Sequence, residues 1–214
     1  MENLRVKICG ITNLADARYC AGAGADYLGF IQSEASPRYV EPNMARQIIE
    51  WVAGVKTVGV FVDADVETLN ETASAAGFDI VQLHGDESAE DCSHVARPVI
   101  KVFRIRHDDD PAELQRRLDP YIPHVYAFLF DTFVENQPGG TGRTFSWETV
   151  SALDLDVPVF LAGGLNAANA AEAVTAVGPY GIDVSSGVEQ SPGTKDFAAV
   201  DDLFAALAPF RAAL

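Results

Sequence analysis

Eight times along this chain a short run of β-branched and aromatic residues gives way to an alanine-rich stretch with helical spacing. Strands are read at Leu4–Cys9, Asp26–Ile31, Lys56–Val62, Asp79–Leu83, Pro98–Arg104, Tyr126–Phe130, Val157–Leu161 and Gly181–Val184. Helices are read near Leu14–Gly22, Pro42–Val52, Val66–Ala76, Ala89–Val95, Ala112–Leu118, Ser146–Leu153, Ala167–Val177 and Phe197–Ala212. Strands that alternate with helices run parallel, because each helix supplies the crossover that parallel pairing needs. Eight such units of about 25–30 residues predict α/β architecture, a single (β/α)8 TIM barrel over residues 1–214. A doubly wound open sheet competes. It is usually marked by a glycine-rich fingerprint after the first strand, and Cys9-Gly10-Ile11-Thr12-Asn13 is not GxGxxG. Asn13 and Asp65 are placed to cap helices, Pro42 suits a first turn, and Gly22, Gly24, Gly54, Gly77 and Gly178 fall where helices should stop.

Charge narrows the partners. The 31 acidic residues outnumber the 15 basic ones, giving a net charge of −16, and four of the basic residues are lysines. Such a field repels nucleic acid and anionic membranes. Apart from the run Asp108-Asp109-Asp110, the acidic residues are dispersed, so an acidic tail explains them poorly. Adaptation to a salty cytoplasm and a generic solvated acidic surface both fit. The charged N-terminus has no apolar signal segment, and no apolar run approaches membrane-spanning length. Cys9, Cys20 and Cys92 are too few and scattered for a disulfide framework, which suggests a cytoplasmic protein. No HxH, HxxxH or CxxC spacing occurs, so no metal site is expected.

In a barrel the chemistry gathers at the C-terminal ends of the strands. Val6-Lys7-Ile8-Cys9-Gly10 delivers a thiol to such an end, where Gly10 lets the backbone turn away. Free cysteines are more often small buried hydrophobes. Asp131 emerges from the apolar Ala127-Phe128-Leu129-Phe130 and reads either as a capping aspartate or as a general acid. Gly163-Gly164 and Ser185-Ser186-Gly187 follow the seventh and eighth strands, where backbone N–H groups and a helix N-terminus behind them can hold a phosphate. Gly139-Gly140-Thr141-Gly142 is a third glycine-rich loop, either a cover for the site or a plain connection.

Together these stretches resemble the phosphoribosylanthranilate isomerase family of tryptophan biosynthesis. The resemblance rests on Val6–Gly10, Ser36-Pro37-Arg38-Tyr39-Val40, Val58–Val62, Val81-Gln82-Leu83-His84-Gly85, Phe130-Asp131-Thr132, Gly139–Gly142, Leu161–Leu165 and Asp183–Glu189. It implies an Amadori rearrangement by acid–base catalysis, needing neither metal nor cofactor. Asp131 would protonate the furanose ring oxygen and Cys9 would remove the C2′ proton. Arg38 would receive the anthranilate carboxylate; Gly142, Gly163, Gly164, Ser185, Ser186 and Gly187 would hold the phosphate. The partner implied is a small anionic sugar phosphate, with monomer and homodimer both open. Lys7, two residues before Cys9 on the same strand face, either stabilises a thiolate or is a buried ion-pair partner. His84 reads as a rim or core histidine. Glu34 adds negative charge near the entrance, and Arg143 stands where relatives carry lysine. An indole-glycerol-phosphate synthase would use lysine and glutamate instead; a sugar-phosphate sensor would need neither Cys9 nor Asp131.

Overall fold

A computed structural model describes residues 3–106, 109–131 and 143–211, the side chains of 143–146 excepted. Eight parallel strands close into a barrel in chain order, with β8 returning to pair with β1. The strands are β1 Arg5–Cys9, β2 Tyr27–Ile31, β3 Lys56–Phe61, β4 Ile80–Leu83, β5 Val99–Arg104, β6 Ala127–Asp131, β7 Val159–Ala162 and β8 Gly181–Val184. Between and after them run α1 Leu14–Gly22, α2 Pro42–Ile49, α3 Val66–Ala76, α4 Ala89–His94, α5 Pro111–Leu118, α6 Arg143–Ser151, α7 Ala170–Val177 and α8 Phe197–Leu207. The predicted fold is the observed one.

Period-two alternation along the strands sorts the core into two shells. Val58, Ile80, Ile100, Val102, Leu129 and Phe160 pack inside the barrel. Val6, Ile8, Leu28, Phe30, Val81 and Ile182 face outward and pack beneath the helices. The interior layers put the same face of every strand toward the mouth, so residues at alternate positions near the C-terminal ends converge.

Helix boundaries follow local chemistry. Asn13 accepts from the Asp16 amide and Asp65 from the amides of Glu67 and Thr68, as the sequence predicts. Gly77 and Gly178 end α3 and α7 in the left-handed conformation. Three predicted helices are shorter than expected. α7 starts at Ala170 because asparagine side chains hold a turn first: Asn169 Oδ1 accepts from the Asn166 amide and Asn166 Oδ1 from the Ala168 amide. α2 tightens after Ile49 into bonds from Trp51 to Ile48 and from Val52 to Ile49. α8 gives way at Ala208–Phe210 to a 3-10 turn holding Pro209, which cannot donate to the helix. A small hairpin, β9 Glu189–Ser191 and β10 Thr194–Lys195, lies outside the barrel sheet and is absent from the sequence reading. No helix among the described residues is long and apolar enough to cross a membrane.

Candidate active site

At the C-terminal ends of the strands a cavity of about 270 Å³ brings together Cys9, Arg38, Asp131, Gly163, Gly164, Ser185 and Ser186. A larger groove of about 780 Å³ near Leu155, Val177 and Phe210 is mostly aliphatic and contains none of the predicted site residues. The predicted site residues therefore gather in the smaller cavity.

The thiol has a built environment. Lys7 is fully buried and its Nζ lies 2.9 Å from Asp183 Oδ1, on the strand residue directly in register with it. Gly29, in register with Cys9 on β2, opens the space in which thiol and ammonium meet. A Cβ placed on Gly29 would stand 2.8 Å from Cys9 Sγ and 2.9 Å from Lys7 Nζ. Burial pushes the Cys9 thiol above its ordinary pKa; Lys7 pulls it down without cancelling that effect. Burial also opposes the Lys7 charge, yet Asp183 and Cys9 outweigh it and hold the ammonium above its usual value. Lys7 is thus the buried ion-pair partner of one sequence reading, and its ammonium also lies beside the thiol.

Across the cavity, Asp131 is the last residue of β6. His84 Nε2 lies 4.0 Å from its Oδ2. Burial lowers the imidazole's pKa against the opposing pull of Asp131 and Asp183, so His84 stays neutral near pH 7. His84 thus sits at the cavity rim with one ring nitrogen toward Asp131.

Arg38 reaches the cavity from the loop after β2, but part of its fork is occupied. Its Nε lies 3.0 Å from both carboxylate oxygens of Glu189, and one terminal nitrogen lies 2.6 Å from Oε2. Glu189 also accepts from buried Lys195 Nζ at 2.8 Å, and Lys195 in turn reaches the carbonyl of Cys9. The hairpin β9–β10 is therefore laced to both the thiol strand and the arginine loop. Burial would raise the Glu189 pKa, but its bonds to Arg38 and Lys195 win and hold it below the usual carboxylate value. Gly10, at φ 81°, completes the arrangement: a Cβ there would lie 2.7 Å from Arg38 Cδ. A ligand carboxylate can use the guanidinium edge that Glu189 leaves open.

Gly163 and Gly164 both have positive φ, 103° and 63°, and line the cavity with Ser185 and Ser186. The expected helix N-terminus does not stand directly behind them, since α7 begins at Ala170 and only a 3-10 turn, Ser186–Val188, follows β8. Gly187 has another task. It lies off the cavity lining, and a Cβ there would collide with the Leu165 carbonyl, so its bare backbone lets the two loops pack together. Gly142, Thr132 and the loop Gly139–Gly142 lie outside the described residues.

A family model described as N-(5'phosphoribosyl)anthranilate (PRA) isomerase matches residues 6–206. The chain belongs to this family. A curated relative from Geobacter metallireducens, named N-(5'-phosphoribosyl)anthranilate isomerase, is 49% identical over 200 residues, which cover 92% of this chain and 95% of that protein. The crystal structure of phosphoribosyl anthranilate isomerase from Thermotoga maritima matches with a TM-score of 0.84 at 36% identity, covering 96% of this chain and 99% of that one. Another solved isomerase is described as a complex with reduced 1-(o-carboxyphenylamino)-1-deoxyribulose 5-phosphate; it is 35% identical with a TM-score of 0.80, covering 96% and 99%.

Within this isomerase barrel, several site residues carry no assignment from sequence alone. Asp183, Glu189 and Gln82 stand inside recognised motifs without a role; Gly29 and Lys195 stand outside them. A lysine inside an apolar run is the signal that finds buried ion pairs. It flags Lys7, and it would also have flagged Lys101 in Val99-Ile100-Lys101-Val102-Phe103, which pairs with Glu87 at 2.8 Å.

Proposed function

We infer that this chain isomerises N-(5′-phosphoribosyl)anthranilate to 1-(2-carboxyphenylamino)-1-deoxyribulose 5-phosphate, a step of tryptophan biosynthesis, as one barrel domain in the cytoplasm. The observation that carries the reading is a thiol on β1 and a carboxylate on β6 lining one cavity of an isomerase-family barrel. Asp131 gives its proton to the ring oxygen as the C1′–O bond breaks, and the nitrogen lone pair forms a C1′ iminium. The Cys9 thiolate then takes the C2′ proton, and the C–H electrons neutralise the iminium to give an enolamine. Loss of the enol proton and protonation at C1′ yield the ketone. The sequence is an internal redox shuffle in which every electron stays on the substrate, so one acid and one base suffice.

Each remaining part answers a charge on the substrate. Lys7 stabilises the thiolate form of Cys9, which burial disfavours. Arg38 takes the anthranilate carboxylate on its open edge. The phosphate is held by backbone N–H groups of Gly142, Gly163 and Gly164 and by Ser185 and Ser186. The related structure described with a reduced product analogue supports a ligand of this class.

The acidic surface fits a high-salt cytoplasm. Three of the four lysines, Lys7, Lys101 and Lys195, are buried, which leaves Lys56 as the exposed one. Salt shortens the Debye length from about 10 Å at 0.1 M to about 3 Å at 1 M, which relieves repulsion both within the surface and toward an anionic substrate. Both kcat/KM and Tm are expected to rise with salt toward the molar range; a monotonic fall in both would remove this reading.

The function is tested by following loss of anthranilate fluorescence with freshly generated substrate, for wild type, Cys9→Ser and Asp131→Asn. Expected is wild-type turnover that falls by about 10²–10⁴-fold in either variant while the reduced product analogue still binds. Analogue binding without wild-type turnover at any salt concentration would instead make this barrel a sugar-phosphate sensor.

A further inference from the structure

One buried amide at the mouth of the barrel is unaccounted for by the acid, the base or the anion contacts. Gln82 lies on β4, two residues before His84 and on the same strand face, and is 1% exposed. It lines the cavity that holds Cys9 and Asp131. Its Nε2 lies 3.4 Å from His84 Nδ1, while its Oε1 is buried with no hydrogen-bond partner among the described residues. The residues in register with it, Val60 and Ile100, are aliphatic, as is Leu129 on the cavity wall. None of these side chains can donate a proton. A buried amide oxygen is unfavourable unless a donor arrives, and the residue that carries it borders the cavity in which a ligand would sit. Gln32 Oε1 is similarly orphaned, but Gln32 is not part of the cavity lining and its amide nitrogen is satisfied by the Val40 carbonyl.

We propose that Gln82 is a substrate-binding residue whose side-chain amide hydrogen-bonds a hydroxyl of the ribose moiety. The proposal rests on the isomerase reading of the site. A hydroxyl is the group that matches, because it both donates and accepts and therefore satisfies the amide in either orientation. A phosphate or carboxylate oxygen could only accept, and would meet the amide oxygen with repulsion. The opposite end of the amide holds His84, whose imidazole faces Asp131, so the same side chain ties the sugar to the acid side of the cavity. An amide oxygen is too weak a base to take a proton at neutral pH. Gln82 thus orients the sugar, presenting C2′ to Cys9, and leaves proton transfer to the thiol and carboxylate.

The test is a binding cycle. Affinities of the reduced product analogue and of its 2-deoxy and 3-deoxy counterparts are measured for wild type and Gln82→Met, which keeps the length of the side chain and removes its polarity. Expected is about tenfold weaker binding of the full analogue by the variant, the range of one buried hydrogen bond. Expected also is that one deoxy analogue binds wild type about tenfold more weakly yet binds the variant as well as the full analogue does. The deoxy position that shows this identifies the hydroxyl. Tm of Gln82→Met should equal or exceed that of wild type, because an unsatisfied polar atom leaves an apolar wall. Gln82→Asn, which keeps the amide but withdraws it by one methylene, should also bind the full analogue more weakly and supplies the cycle if the methionine variant does not fold. Additive losses, with each deoxy analogue weakened equally in wild type and variant, would overturn the proposal, as would wild-type affinity in both variants. Wild-type turnover of phosphoribosylanthranilate is measured alongside. Absent turnover defeats the isomerase reading, whereas turnover with no coupling defeats the role of Gln82 alone.

Discussion

The two ends of this barrel handle buried polarity in opposite ways. At the N-terminal end the hydroxyls of Tyr27, Tyr126 and Tyr180 bond one another at 3.1, 3.1 and 3.3 Å. Beside them Arg5 and Arg211 share the Asp26 carboxylate at 2.8 and 2.9 Å, and the Phe160 ring packs edge-on against Tyr27 and Tyr180. Every group there closes on another. The C-terminal end holds three buried lysine–carboxylate pairs, Lys7–Asp183, Lys101–Glu87 and Lys195–Glu189, together with the orphaned oxygen of Gln82. Buried ion pairs add little to stability, because desolvation offsets much of their attraction. Their concentration at one end therefore marks where the fold serves chemistry, and the neutral, mutually satisfied ring marks where it serves closure.

Breaking a pair at the catalytic end should expose the difference most sharply. Lys7→Met strands Asp183 in the barrel and removes the cation from Cys9. Unfolding in denaturant should show a loss of about 3–5 kcal/mol, and kcat/KM should fall by about 10²-fold. The matching change at the other end, Arg5→Met, removes a side chain that is 41% exposed; it should cost no more than about 1 kcal/mol and leave kcat unchanged. Equal losses in the two variants would erase the distinction between the ends.

The pH profile sharpens it next. All three cysteines are free and buried, and burial pushes each thiol up, Cys20 to about 12 and Cys92 to about 11. Cys9 is also raised, but a buried ammonium lies against it. In the proposed mechanism the base form of Cys9 is the thiolate, so activity would be carried by the deprotonated fraction. Because its folded pKa lies above the ordinary thiol value, kcat/KM should climb as pH rises from 7 toward 9, by about tenfold per unit. Lys7→Met should move that limb to higher pH. A profile flat across this interval would mean that thiol ionisation does not limit the reaction.

Much of this organisation was legible in the sequence, for identifiable reasons. Strands and crossover helices have different periods, so their alternation specified the barrel, and strand ends were placed within one or two residues. Cys9 and Asp131 stood out because each ends an apolar run at the face where barrel chemistry occurs. The hairpin of Glu189 and Lys195 was not legible: Glu189-Gln190-Ser191 and Thr194-Lys195 have no apolar alternation, and long-range ion pairs to Arg38 and contacts to Cys9 hold them. Gly29 looks like any strand glycine until the β1–β2 register sets it against Cys9. Gly187 read as a phosphate glycine because it closes the run Ser185-Ser186-Gly187 after β8, whereas its own backbone meets another loop. Each miss concerns a residue whose meaning lies in a neighbour distant in sequence.

Gly29→Ala tests one of those hidden positions at moderate scale. The new methyl would overlap the space of Cys9 Sγ and Lys7 Nζ, so we expect about 1–3 kcal/mol of destabilisation from overpacking, together with loss of kcat. Gly22→Ala is its counterpart away from the mouth. Nothing lies within 4 Å of a Cβ there and the residue is the last of α1. That change should stabilise by about 0.4–1 kcal/mol through the unfolded state without altering turnover. A harmless Gly29→Ala would show that thiol and ammonium are free to rearrange.

The smallest expected effect comes from the tyrosine ring. Tyr126→Phe removes one hydroxyl and leaves the bond between Tyr27 and Tyr180 in place. Each remaining phenol keeps a partner, so the loss should be near that of one buried hydrogen bond, about 1 kcal/mol. The substitution lies at the end of the strands away from Cys9 and Asp131, with the aliphatic and aromatic layers of Ile80, Ile100 and Phe160 between. Thermal unfolding should therefore shift while kcat and KM stay within twofold of wild type, on the order of the experimental scatter in such comparisons. A larger change in kcat would mean that the interior layers transmit strain from floor to mouth, and that the two ends are mechanically one.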